Sequence, residues 1–521
     1  MTLVFASALF VFGGRTDLAA QKVSTSRESR GKQIYTQGTS PSGKEILAYI
    51  GESSLEVPGS TVACANCHGL DGKGKPEGDV TPSDLTWEVL TKPYGLRHSD
   101  GRQHPPYTQR GLELAITRGV DPGGNKLLNV MPRFVMSRDD LADLVAYIEQ
   151  LGHDCDPGIS DDKIVIATAA PSGGPLSQMG AAVKEVTAAF FDEVNRGGGV
   201  YNRRLELKFI ETGASGSEAR TSFERAISDG KIFAVIAPCI AGAEKEVIPL
   251  MSQKQIPLIG PLTLYPQPDA ALNRYVFYLQ SGVTGQARAL LYFVAKKLEL
   301  ADPRVTVVYQ KNEINASIVE AMSDEARKTG IRAPRFIAFD GGLDAAEVTR
   351  RLKQDGCDVV FCLGSGDEAL ALMQESEKLD WSPFFCLPVG GGVEVFAAPE
   401  RFNGRIFFGF PIAPTDQTVE GRRELQSLIE KYNLGTGHLN AQISALGAAK
   451  ILVDSLRKIG KDLSREKLIQ SLESVYEYQT GLTPAISYGP NRRIGARGAY
   501  VVKVDLRNRQ LVPASGWIDV N

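Results

Sequence analysis

Cys64-Ala65-Asn66-Cys67-His68 is the stretch whose residue types could act together chemically. On a helical turn, residues three and four apart share a face. The two thiols can then add to the two vinyl groups of one porphyrin, with His68 held beneath the iron as an axial ligand. Cys-x-x-Cys-His is the attachment signal of a c-type haem. Two other chemistries compete for such residues. A structural zinc ion needs four ligands, and a second Cys pair at suitable spacing is missing. A redox dithiol does not require the adjacent His. The spacing therefore predicts one covalent haem on Cys64, Cys67 and His68.

Helices must position this motif. Gly31–Gln37 is one helical pattern and Arg138–Leu151 another. In the second, Ser137 is a good N-cap and Asp139 and Asp140 stand in the first turn. Leu141, Leu144, Val145, Ile148 and Leu151 form one apolar stripe. Between the helices the sequence is loop-rich. With Gly31-Lys32-Gln33-Ile34-Tyr35, Cys64–His68 followed by Gly69-Leu70-Asp71-Gly72-Lys73-Gly74, and Met131-Pro132-Arg133-Phe134, the region of about 28–152 resembles class I c-type cytochromes. The resemblance implies an all-α domain in which the Met of the Met-Pro pair, Met131, is the sixth iron ligand. Haem iron held by imidazole and thioether has a raised potential and no open site, which suits electron transfer. Met136, His98 and His104 are the rivals for the sixth position. Met136 reads as core, and the two His as solvated members of the polar loop Arg97–Tyr107. Ser40–Ala63 is longer than a minimal cytochrome needs and reads as an inserted surface loop, which either shields a haem edge, docks a partner or is passive.

Gly, Pro and Asp then crowd together near residues 152–162, as in a linker. Beyond it, short apolar strands alternate with helices: Lys163–Ala169, Leu205–Glu211, Phe233–Ala237 and Pro257–Gly260, then Val276–Leu279, Val305–Tyr309, Phe336–Phe339, Val359–Leu363, Phe384–Leu387 and Ile406–Phe410. Such alternation predicts parallel sheets covered on both faces, here in two α/β lobes. Tyr500–Asp505 and Gln510–Trp517 predict a closing hairpin. On Ile164–Pro175, Phe233–Pro238, Ile256–Pro261 and the run Thr480–Trp517, this segment resembles type I periplasmic solute-binding proteins, nearest to the branched-chain amino-acid receptors of ABC importers. The resemblance implies a ligand closed between the lobes. Open α/β sheets bind ligands beyond the strand C-termini. The candidate pocket residues are Ser172, Gly173, Cys239, Ala241, Thr263 and Tyr265 in the first lobe, and Ile314, Ser365 and Gly391 in the second.

The departures from those receptors bear on the ligand. Where the family places a carboxylate-binding Ser, this chain has Ala241. Thr263 is shifted by comparison with the family's Thr, and Ile314 replaces a covering Tyr. The acidic partner of the ligand's ammonium falls near 390–392, which are glycines. An ammonium without its charge partner is costly to bury, so the expected solute is a small organic compound rather than an ordinary amino acid.

The chain has 521 residues and a net charge of −3, with 43% hydrophobic and 23% charged residues. This is a globular composition with no electrostatic footprint for nucleic acid. The apolar run Leu3–Phe12 is too short to span a bilayer, which takes roughly 20 residues. It has the length of a signal-peptide core, with Leu18-Ala19-Ala20 as a cleavage site. The expected layout is a signal peptide at 1–20, a cytochrome c domain at 21–155, a linker at 156–162 and the two-lobed α/β domain at 163–521. The expected location is the periplasm, with no membrane span. Five more cysteines follow the haem motif: Cys155, Cys239, Cys357, Cys362 and Cys386. A Cys362–Cys386 disulfide is an option if their strands are neighbours; otherwise they read as buried thiols. No nucleophile–base set stands out in the second domain, whose one His is His438. The reading is therefore a non-enzymatic electron-transfer protein with a solute-binding domain, with a small-molecule ligand and a redox partner protein. The alternative is an ABC-importer receptor whose haem is accessory and whose partner is a permease.

Overall fold

The computed structural model describes residues 26–74, 80–98, 101–151, 156–229, 231–266, 273–388 and 393–520. The signal peptide, Cys155 and Gly391 lie outside them. The chain divides into two compact units, one up to residue 154 and one from residue 155.

The first unit is built on the helices Ser26–Gln37 and Arg138–Ile148. They cross at Gly31, where a side chain would overlap the carbonyl of Asp143. Arg27 and Arg30 pair with Asp143 at 3.2 and 2.6 Å. Tyr35 stacks against Tyr147 and donates its hydroxyl to the carbonyl of Gly69 at 2.7 Å, tying the first helix to the end of the Cys64–His68 helix. The cap and stripe of Arg138–Ile148 match the sequence pattern: Ser137 accepts from the N–H of Asp140, and Leu144, Val145, Ile148 and Leu151 are buried. The insertion Ser40–Ala63 is more than a loop. It forms the strands Leu47–Ile50 and Leu55–Pro58, and the first pairs antiparallel with Arg133–Val135. The helical core thus carries a three-stranded sheet.

The second unit contains two sheets, as the strand rhythm predicts. The first is wholly parallel, in the order Ile494–Ala496, Val276–Gln280, Leu258–Ile259, Ala234–Ile236, Lys163–Pro171 and Arg204–Thr212. The second runs Arg335–Phe339, Val305–Gln310, Val359–Leu363, Phe384–Leu387, Ile406–Phe410, Gly498–Asp505 and Gln510–Pro513. It is parallel up to Ile406–Phe410, and the closing hairpin adds antiparallel strands. The inner strands are near-continuously apolar because helices cover both faces, whereas the edge strands Arg204–Thr212 and Arg335–Phe339 keep exposed positions. Only Arg497 separates the last strand of the first sheet from Gly498 in the second. Ser281, at a second crossing between the lobes, donates to the carbonyl of Gly498 at 3.2 Å. The stretch 156–162 folds onto this unit. Ile159 is in its core, Asp156 accepts from the N–H of Arg465 at 2.5 Å, and the Ser160 carbonyl accepts from Arg203.

Cys362 and Cys386 do lie on neighbouring strands, but they form no disulfide. Cys386 is in register with Phe361 rather than Cys362, so the two thiols enter the cores on opposite faces of the sheet. Both are free and buried.

Candidate functional site

The helix Cys64–His68 begins at Ala63 and ends at Gly69, whose positive φ turns the chain away. One turn suffices to set both thiols and the imidazole on one cavity wall. Cys64 and Cys67 are not joined to each other. Burial pushes the Cys64 thiol up to about 12. His68 is 7% exposed. Its Nδ1 lies 2.9 Å from the carbonyl of Ser83. A carbonyl only accepts, so Nδ1 carries the proton and Nε2 keeps its lone pair. Burial also lowers the pKa of the ring, which favours the neutral form that can ligate a metal. Orientation of a ligating imidazole by a backbone carbonyl is a common outer-shell arrangement.

Cys64, Cys67, His68 and Met131 all line one cavity. Leu85, Leu90, Leu112, Ile116, Leu127 and Phe134 make its wall mainly apolar. Two free thiols, an imidazole with an available nitrogen and a thioether on one mainly apolar cavity wall are the donor set that a covalently attached porphyrin requires.

The rivals for the sixth position separate. Met136 packs against the helical core. His98 and His104 are not a solvated pair, contrary to the sequence reading. The short strands Leu96–Arg97 and Gln103–His104 pair antiparallel and bring both rings onto the cavity wall. His104 is 5% exposed. Its Nδ1 lies 2.8 Å from the carbonyl of Pro105, and its Nε2 lies 3.0 Å from Nε2 of His98. Nδ1 of His104 must therefore donate, its Nε2 accepts when the ring is neutral, and the His98 Nε2–H is the donor between them. Gly101, between two extended dipeptides, was the available sequence signal for this hairpin.

In the second unit the predicted residues differ in exposure and in the bonds they make. Ser172 and Gly173 are exposed after the first strand. Cys239 is buried and bridges Leu262 as an extension of the sheet, with its thiol raised to about 12 by burial. Ala241 is half-buried. Tyr265, half-buried, packs against the core of the second lobe. Ile314 is exposed near the start of the helix Glu313–Thr329. Ser365 caps the helix Gly366–Lys378 in a reciprocal box with Glu368, so its hydroxyl already serves the fold.

Two groups here escaped the sequence reading. Glu244, 7% exposed, accepts the N–H of Gly242 at 2.8 Å and the hydroxyl of Thr263. Lys245 forms an ion pair with Glu313, which joins the two lobes. A carboxylate in the first turn of a helix usually reads as dipole compensation, which hid Glu244.

The comparisons agree with this architecture. The family model described as periplasmic binding protein matches residues 163–510, and the cytochrome c model matches residues 29–152. The leucine-, isoleucine-, valine-, threonine- and alanine-binding protein of Pseudomonas aeruginosa is 21% identical over 329 residues, 61% of this chain and 85% of that protein. The Leu/Ile/Val-binding protein homolog 3 of Brucella melitensis is 23% identical over 38% of this chain, and the match spans 53% of that protein. The chain thus spans little more than half the length of that relative. Among solved structures, a fatty acid ABC transporter substrate-binding protein from Thermomonospora curvata aligns with TM-score 0.53 and 16% identity, over 71% of this chain and 95% of that one. A branched-chain amino acid ABC transporter protein from Thermus thermophilus with bound valine aligns with TM-score 0.55 and 17% identity, over 70% and 98%. These likenesses establish the shared fold. The two-sheet unit, its strand order and the matched model together place the chain in the periplasmic binding protein family, with a cytochrome c domain in front of that fold.

Proposed function

We propose that this chain is an exported electron-transfer protein carrying one haem c and a solute-binding domain. Cys64 and Cys67 hold the porphyrin as thioethers, and His68 and Met131 are the axial ligands. The observation behind this reading is the convergence of those four residues on one apolar cavity. When bound, the haem supplies a one-electron iron couple with no open coordination site. The chain's own residues do the rest. The Ser83 carbonyl orients His68, and the apolar wall keeps water from the centre. The protein has no substrate chemistry of its own; the relatives it resembles are binding proteins. Its place is the periplasm, and among the described residues no helix is long and apolar enough to cross a membrane.

The solute is a small organic compound rather than an ordinary amino acid. Buried Glu244 takes the hydroxyl of Thr263 and sets a carboxylate beside the loops that would meet a ligand's own carboxylate. Like charges brought together at a binding site cost several kcal/mol. The names of the relatives favour a second reading, an ABC-importer receptor with an accessory haem. In the first reading a redox partner docks on the cytochrome unit; in the second a permease docks on the lobes.

Two measurements test the proposal. Denaturing electrophoresis with haem staining should show covalent haem in the native protein and none after Cys64→Ser with Cys67→Ser. A thermal-shift screen of the haem-loaded protein with organic acids, alcohols, aromatics and amino acids should give its hits outside the amino acids. The haem potential is then measured with and without the hit. Branched-chain amino acids as the hits, with an unmoved potential, would establish the importer reading instead.

A further inference from the structure

Met131 closes a turn, its N–H bonded to the carbonyl of Leu128 at 3.1 Å. Two residues on, Arg133 folds back over this turn. Its Nη1 donates to the carbonyl of Met131, and its Nη2 to those of Leu127 at 2.8 Å and Leu128 at 3.3 Å. A planar guanidinium can serve several acceptors in fixed geometry, which an ammonium cannot. Among the described residues no carboxylate pairs with Arg133, so its charge is spent on these carbonyls; partial burial lowers its pKa. The path over the turn exists because residue 119 is glycine: a Cβ there would overlap the Arg133 guanidinium.

The same turn is held from the other side. Arg133 is in register with Tyr49 of the inserted hairpin, and Phe134 with Ala48. Ala48 and Phe134 are both buried in the helical core. The N–H of Gly51, at the hairpin tip, donates to the carbonyl of Asn129 at 3.1 Å. The turn 127–131 is therefore fastened at four carbonyls, by one side chain and one backbone N–H, with a sheet strand at its exit.

We infer that Arg133 and the inserted hairpin are positioning elements for the sixth haem ligand: together they fix the turn that presents Met131 to the iron. This rests on the assignment of Met131 proposed above. It gives the insertion a role, and it makes Arg133 the residue that sets how often the iron loses its thioether. Arg133 itself touches no reacting atom.

The test uses the full haem-loaded protein and carbon monoxide, which binds ferrous haem only where an axial position is open. The far-red band of the ferric iron–thioether bond is a second readout. Native protein should bind carbon monoxide poorly, and Met131→Ala should bind it readily. Arg133→Gln and Arg133→Lys, with haem content and circular dichroism unchanged, should raise carbon monoxide binding at least about tenfold, the size expected for losing a charge-assisted hydrogen bond. They should also weaken the far-red band and lower the potential. Lys keeps the charge and loses the fork, so an effect in both variants assigns it to the clamp rather than to the field. If Arg133→Gln fails to fold, Arg133→Lys carries the test alone. Native-like ligation in Arg133→Lys, with an open iron in Met131→Ala, would overturn the clamp. A closed iron in Met131→Ala would overturn the ligand assignment itself.

Discussion

Nδ1 of His68 lies 2.9 Å from the backbone carbonyl of Ser83, fifteen residues further along the chain. That one contact fixes the tautomer of a buried ring and leaves Nε2 as its only lone-pair nitrogen. In the proposed haem-loaded protein the ring would hold the porphyrin through iron alone, whereas Cys64 and Cys67 would hold it through carbon.

The first prediction follows from that division of labour. His68→Gly should keep covalent haem but lose its axial nitrogen. Added imidazole should restore the native absorption spectrum, because the space left lies in the haem cavity. Titration of the variant with imidazole, followed by absorbance, checks this. A spectrum identical to native without imidazole would show that another residue ligates the iron.

His104→Phe keeps the ring volume and removes both nitrogens. It leaves the carbonyl of Pro105 and the Nε2–H of His98 without the partners they now have on the buried ring. Both bonds are only part-buried, so water can serve the groups left behind, and a net contribution of about 0.5–1.5 kcal/mol per bond applies. Denaturant unfolding of the haem-loaded cytochrome unit should show a loss of that order. No loss would mean that the pair contributes nothing to the fold.

Glu244→Gln removes the negative charge next to Thr263 while keeping an acceptor for the Gly242 N–H. Solutes with a carboxylate should gain affinity by about tenfold or more, since a like-charge penalty disappears. Calorimetry of native and variant protein with the same acid and its amide measures this. Equal affinities for the acid in both proteins would place Glu244 outside the ligand's reach.

The Lys245–Glu313 pair joins the lobes through two exposed side chains, and each holds the other in its charged form. Exposed pairs are weak and screened. Glu313→Gln should therefore change solute affinity by no more than a few-fold. Native affinity should drift toward the variant's as salt rises to roughly 0.5 M, where the screening length is only a few ångströms. A salt dependence unchanged in the variant would assign it to other charges.

Much of the second unit was legible because its signals are local. Val359–Leu363, Phe384–Leu387 and Ile406–Phe410 read as strands from four or five apolar residues bounded by breakers, and they are strands. The haem motif and the capped helix at Arg138 were equally local. Long-range pairing was not legible. Nothing near residue 47 announces a partner at residue 135, so the insertion read as a loop. The two His on the cavity wall read as solvated because their loop is polar; their placement depends on a four-residue ladder and on Tyr107, whose ring meets His104 edge-on at 4.8 Å. Ile159 sat among linker residues by composition, yet its side chain completes a core that includes Ala496, on the strand Ile494–Ala496 near the far end of the chain. The pocket residues were hardest, because hydroxyls such as Ser365 and Thr263 serve a cap or a carboxylate before any ligand.

The four buried thiols of the second unit, Cys239, Cys357, Cys362 and Cys386, bear on how the protein is made. If the chain is exported and loaded with haem as proposed, Cys64 and Cys67 must stay unoxidised until porphyrin is attached, in a compartment that oxidises thiols. While the chain is unfolded, each of the four is a competitor that can cross-link to the haem motif. Once the sheets close, all four are out of solvent, and no pair among them is bonded. Early closure of the α/β unit would thus act as a guard on cofactor insertion, and a variant slow to fold there would be expected to accumulate as a cross-linked, colourless chain even though its haem domain is unaltered.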